Sequence, residues 1–156
     1  MANLEISKSK FLTDSRNLNI AIVFFIFPCI TLAIAGSIYA IFGTFMQYHI
    51  EYTGLTESEV AAYNSRLMFL ISVLIRLLGV NMIAVGISIL YITIYGIRKR
   101  KKWAWTSILL ITIICTVPTL ILTSIVVGIF GWAYLLYLFG TILLIIGLYL
   151  SYKEIF

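Results

Sequence analysis

Acidic residues are scarce in this chain, six Asp and Glu in 156 residues, and none lies inside its long apolar runs. That absence argues against proton-coupled export of the kind that needs a carboxylate within the membrane. Histidine occurs once, as His49, so a single chain cannot build a bis-histidine haem site or a histidine-rich metal site. The two cysteines, Cys29 and Cys115, form no C-x-x-C pair and read as small residues of apolar helices. No nucleophile and base pair stands out, and neither a metal nor a cofactor is expected. Charged residues of both signs make up only 11% of the chain, too few to cover a water-soluble fold of this size.

What remains is apolar: 62% of the residues, gathered into continuous runs. Crossing about 30 Å of hydrocarbon takes about 20 residues of helix, and the runs that qualify are 18–45, 77–97, 103–127 and 132–152. Membrane barrel strands alternate apolar and polar residues, and these runs do not. The fold expected is therefore an all-α membrane protein, a bundle of four transmembrane helices in a single integral domain covering 1–156. Ala33-Ile34-Ala35 resembles a signal cleavage site, but the apolar run continues through Phe45, longer than a signal core.

The net charge of +5 does not point to nucleic acid, because five of the eleven basic residues form one block between two spans, Arg98-Lys99-Arg100-Lys101-Lys102. Lys8, Lys10 and Arg16 precede the first run and Lys153 follows the last, whereas the loop after the first run holds Glu51, Glu57 and Glu59 against Arg66. The positive-inside rule then places both termini and the basic turn 98–102 in the cytoplasm, in a multi-pass protein of the cell membrane. The block runs into Trp103-Ala104-Trp105, so Arg98, Lys99, Arg100, Lys101, Lys102, Trp103 and Trp105 are the expected contacts to anionic lipid headgroups.

Helix lengths carry a further expectation. Counted from the basic turn, the second span is complete near Leu77, yet apolar character extends back to Leu67. Tilting so long a helix into the bilayer would need about 50°, beyond the usual range of about 0 to 40°. Helices 1 and 2 should therefore protrude outward and, with segment 46–76, form a small cap. Within it, Thr56 and Glu59 form a capping box for a helix running through Arg66 into span 2, while 47–53 suits an extended turn. A kink is expected at Pro28.

Glycines seven apart, Gly36 and Gly43, Gly79 and Gly86, Gly140 and Gly147, mark packing faces where backbones approach closely. Asn81 and Ser88 lie on the face of span 2 opposite its glycines. An amide turned to lipid is costly, so both faces of span 2 should be buried and span 2 should be the central helix. Thr112, Thr116, Thr119 and Thr123 line one stripe around Pro118; they either bond to their own helix or line a polar path. Arg76, at the expected outer boundary, either holds an anionic ligand or serves structure by reaching headgroups, Glu51 or Glu57, or the carbonyls of the protruding helix. His49 beside Glu51 forms a candidate carboxylate–histidine pair in the outer loop.

Arg76-x-x-Gly79, Asn81 and Gly86, then the basic turn and Trp103-Ala104-Trp105, resemble the middle of small, mostly uncharacterised four-span proteins of bacteria and archaea, some of them DoxX-like. The resemblance covers about residues 66–110. It implies a four-helix membrane fold and supplies no activity and no catalytic residue. The long acidic outer loop departs from the plainest members. Three classes of function follow. The first is an accessory or interaction subunit, or a homo-oligomer, acting through helix packing. The second is a transporter or binder of a small amphipathic or anionic ligand entering from outside, with Arg76, Asn81, Thr119 and Thr123 as polar contacts. The third is a membrane enzyme acting on lipid or quinone through His49, Glu51 and Arg76.

Overall fold

The computed structural model describes residues 15–129 and 131–156, and every regular element among them is helical. The first helix, α1, spans Arg16–Phe42, and two short helices follow, α2 (Gln47–Thr53) and α3 (Glu57–Tyr63). The longest, α4 (Ser65–Tyr95), ends in a 3-10 turn at Ile97–Lys99. Then come α5 (Lys102–Ile111), a π-helical segment at Thr112–Thr116, α6 (Val117–Val127) and α7 (Trp132–Ile155). Four stretches are long and apolar enough to cross a membrane: Arg16–Phe42, Ser65–Lys99, Lys102–Val127 and Trp132–Ile155.

Each boundary has a local cause. The Ser15 hydroxyl accepts the Leu18 N–H at the start of α1, and Gly43 closes the helix in the left-handed region at φ 60°. That stop comes before Phe45, so α1 is shorter at its far end than hydropathy indicates. Segment 47–53 is a helix and not an extended turn. Its N-terminus is held by the Met46 N–H donating to His49 Nδ1 at 3.0 Å, and left-handed Gly54 ends it. Seven residues are too few for alternation to outweigh two such caps. The capping box between Thr56 and Glu59 forms as expected, with the Thr56 N–H donating to Glu59 Oε2 at 2.7 Å. The helix it starts does not continue into span 2, however. Asn64 breaks it at extended φ and ψ, and its side chain accepts the N–H groups of Arg66 and Leu67 to begin α4 afresh.

Pro28 lies inside α1, which remains one helix. The second proline, Pro118, cannot donate back to Ile114, and the π turn at Thr112–Thr116 lies directly before α6, where that bond is missing. Three of the four threonines in the stripe follow its self-bonding alternative: Thr112 donates to Ile108 O, Thr119 to Cys115 O and Thr123 to Thr119 O, at 2.6 to 2.8 Å.

The central helix is α1 and not α4. α1 packs along α4 on one side and along α7 on another, whereas α4 buries one face only. On that face the backbones come very close: a methyl group at Gly36 would lie 2.7 Å from the Gly79 carbonyl oxygen. Lipid offers no hydrophobic drive for such packing, so close approach supplies the dispersion contacts that hold the pair. Gly147 serves α7 in the same way against the Phe25 ring, but Gly140 meets nothing nearer than Pro28 Cβ at 4.0 Å.

The main buried cluster lies toward the end that carries the basic turn, while Val60, Met68 and Ile75 are buried separately toward the other. Leu18, Ile22 and Phe25 of α1, Ile89 of α4, Ile97, Ile108 of α5, and Leu144 and Leu148 of α7 form one buried cluster. Its buried hydroxyls satisfy themselves, Thr93 on Ile89 O and Ser151 on Gly147 O, both at 2.7 Å. At the other end α6 buries no residue.

Candidate functional site

Among the described residues, the polar groups His49, Glu51 and Arg76 expected at the outer end each bond to different partners. The Arg76 guanidinium folds over the end of α1, donating to Ile41 O at 2.9 Å, Phe42 O at 3.1 Å and Ala40 O at 3.4 Å. These are carbonyls that the helix leaves without partners, and a cation near them also faces the negative end of the helix dipole. Left-handed Gly43 makes the approach feasible, because a Cβ there would lie 2.5 Å from Arg76 Nε. Arg76 thus takes up one of the structural roles open to it, as a cap on α1.

Asn81 points elsewhere. It is exposed on the side of α4 away from α1, as is Ser88, whose hydroxyl donates to Ala84 O at 2.8 Å. Ser88 is satisfied within its own helix; the Asn81 amide has no hydrogen-bond partner among the described residues. The expected burial of both α4 faces is therefore not found, because α7 and α5 pack around α1 and the basic end and leave the outer face of α4 uncovered. Thr119 and Thr123 sit on α6 with their protons given to backbone carbonyls.

In the loop, His49 and Glu51 serve their own helix. The His49 ring stacks near Tyr48 and Phe45 and accepts the Met46 N–H, while Glu51 Oε1 accepts from Gln47 Nε2 at 3.3 Å. Partial burial lowers the His49 pKa, which matches its role as a neutral acceptor. Glu57 Oε2 accepts the Phe45 N–H at 3.4 Å, tying α3 to the chain just beyond α1. Among the described residues no cluster of His, Cys, Asp and Glu could hold a metal ion.

The basic turn is built into the fold as well as charged. Arg100 adopts φ 55° and pairs with Glu154 near the end of α7 at 3.6 Å, so the turn and the chain's last residues occupy the same end of the bundle. Trp105 is half-buried and donates from Nε1 to Leu148 O at 2.9 Å, with Tyr152 and Phe156 against its ring. Lys102 lies over Phe156 at 5.0 Å and Lys99 over Tyr95 at 5.9 Å. Trp103, Lys99, Lys101 and Lys102 stay exposed.

One feature had no signal in the sequence. A cleft of about 90 Å³ lies between α1, α4, the π segment and α7, lined by Phe27, Leu32, Val85, Cys115, Tyr137 and Gly140 among others. Its lining is almost wholly apolar. Gly140 contributes the absence of a side chain, and the widened π turn carries Cys115 and Thr116 to its wall. Neither Arg76 nor Asn81 reaches it.

No protein-family model, curated protein or solved structure matches this chain.

Proposed function

We propose that this chain is a multi-pass protein of the cell membrane that works by lateral association, as an interaction subunit or an oligomer, and not by catalysis. The observation that carries this reading is the Asn81 amide, unpartnered among the described residues and exposed partway along an apolar membrane-length helix. In hydrocarbon an amide without a partner costs several kcal/mol by rough transfer estimates, and a neighbouring helix is the nearest source of a partner. The basic turn faces the cytoplasm together with both termini, where Lys99, Lys101 and Lys102 meet anionic headgroups and the 46–76 segment caps the outer surface. Cross-linking in intact membranes tests the association: the proposal expects a protein adduct from a photoreactive residue placed at Ala84, beside Asn81. Lipid adducts alone would end it. Orientation is tested separately, since Lys101→Cys should react only with reagents that reach the cytoplasm.

A second reading rests on the cleft. Its apolar walls and its position among the spans suit a branched or unsaturated chain of an amphipathic ligand, with Tyr137 as a polar handle. Gly140→Phe would fill it. On this reading a photoreactive fatty acid labels the wild type at Cys115 or Tyr137 and fails to label the variant; equal labelling of both removes the cleft from consideration.

A further inference from the structure

We infer that the occupant of the exposed α4 face is the same face of a second copy, in a parallel dimer with the two Asn81 amides bonded across the two-fold axis. The inference rests on the association reading and names its partner.

The face has a register. Leu74, Leu77, Asn81, Ala84, Ser88 and Tyr91 follow one another at alternating steps of three and four, the a and d positions of a heptad seam, and all six are exposed. Leu74, Leu77 and Tyr91 show 54%, 55% and 59% of their surfaces. Such a 3.5-residue repeat keeps one stripe against a partner helix over several turns of left-handed crossing, the commonest geometry between membrane helices. The buried glycine face of the same helix lies on the opposite side, so a partner on the seam leaves the α1 contact untouched.

The chemistry selects an identical partner. A carboxamide carries both a donor and an acceptor, so two asparagines at the same height satisfy each other, each N–H₂ donating to the other's carbonyl oxygen. For two copies inserted with the same topology, equal heights require the two helices to run parallel and in register. Two copies inserted with the same topology and related by an axis along the membrane normal meet that condition without adjustment. Asn81 sits at an a position, where a single polar residue sets register and partner number. Below it Ala84 and Ser88 are small enough for close approach, and the Ser88 proton is already committed to Ala84 O. Asn81 lies about 6 Å beyond Leu77 along the helix axis, deeper than its short side chain can span to reach the headgroups. The seam stops before the basic turn, which leaves Arg98 to Lys102 outside the contact.

Cysteine scanning of the full chain in vesicles tests this, with Cys115→Ser to remove the exposed native thiol. Leu77→Cys, Ala84→Cys and Ser88→Cys should each form a disulfide-linked dimer under mild oxidation, while Val80→Cys and Ile87→Cys, exposed but off the seam, should not. Asn81→Leu should weaken dimerisation, read by energy transfer between labelled copies at varied lipid dilution, by about threefold to about thirtyfold, and Asn81→Gln should keep most of it. Uniform cross-linking on and off the seam, or identical dilution curves for wild type and Asn81→Leu, would overturn the inference. So would Ala84 photo-adducts made solely with a different protein, although association through this face would then stand. Absence of any protein adduct would remove both readings.

Discussion

The two ends of this bundle are held by different physics. At the basic end four helices converge on Phe25, Leu18, Ile22, Ile97 and Ile108, all with essentially no exposed surface. At the opposite end α1 and α4 make the closest contact, through Gly36 and Gly79, α3 packs on the start of α4, and α6 lies against α7 without a fully buried residue. Interlocked side chains fill the first end, and backbone proximity with polar caps holds the second. The comparison teaches that apolar composition, nearly uniform along these helices, says little about where a membrane protein is tightly packed. Packing density is decided by which residues can interdigitate, since lipid and protein are equally apolar surroundings.

The sharpest way to break this contrast is Phe25→Ala. Emptying the filled end should destabilise the fold by about 3–5 kcal/mol, whereas Leu122→Ala on open α6 should change it by less than about 0.5 kcal/mol. Unfolding in mixed micelles followed by circular dichroism compares them, and similar losses would mean that the two ends are packed alike. Next in size is Gly79→Val, which forces a side chain into the α1 backbone and should cost about 1–3 kcal/mol by the same assay. A neutral Gly79→Val would show that close approach is not what joins the far end. Arg76→Gln should cost about 1–2 kcal/mol, reduced by its exposure, and act locally. Its signature is faster amide exchange over the last turn of α1, with protection around Ile22 unchanged; slower or unaltered exchange at Phe42 and Gly43 would remove the capping role.

The smallest effect concerns the two short helices α2 and α3. His49 accepts the Met46 N–H as a neutral ring, and partial burial lowers its pKa below the unfolded value. A group with a depressed folded pKa that must stay uncharged contributes fully above its ordinary pKa, about 6.5, and loses that contribution as the pH falls through the lowered value. Helix α2 should therefore fray on acidification, by up to about 1 kcal/mol for a lost cap, and His49→Ala should abolish the pH dependence. Glu59 works in the same direction at lower pH, because the Thr56 N–H and then its hydroxyl hold that carboxyl below the usual range. Exchange rates of the α2 amides across about pH 4 to 7.5 would report the histidine, and those of the α3 amides below about pH 4.5 the glutamate.

Much of the architecture was legible because solvent matching acts on each segment separately. Runs long enough for hydrocarbon, a basic block between two of them, and a Thr56–Glu59 capping box are local statements, and the helices and that cap appear where they fall. Asn64 carried a readable signal that hydropathy obscured, since an asparagine before Ser65-Arg66 is a good helix start. The helix at Gln47–Thr53 was hidden because its N-terminal cap is an imidazole, a less usual acceptor there. Of the candidate site, Arg76 was readable as a residue with something to do, and capping α1 was among its readings. The cleft was not readable, because its lining comes from four separate stretches and from the space left at Gly140.

Composition and segment length by themselves determined that the chain is helical, that four helices can cross a membrane, and which turn is basic, for each follows from how a single stretch partitions between water and lipid. Tertiary structure alone decided that α1 lies at the centre, that one glycine face of α4 is buried while Asn81 is left outward, and that Arg76 reaches α1. Those outcomes depend on which of several nearly equal apolar faces fit together. Hydrophobicity cannot rank such faces when the solvent is itself hydrocarbon, and only shape and the few polar groups that need partners choose among them.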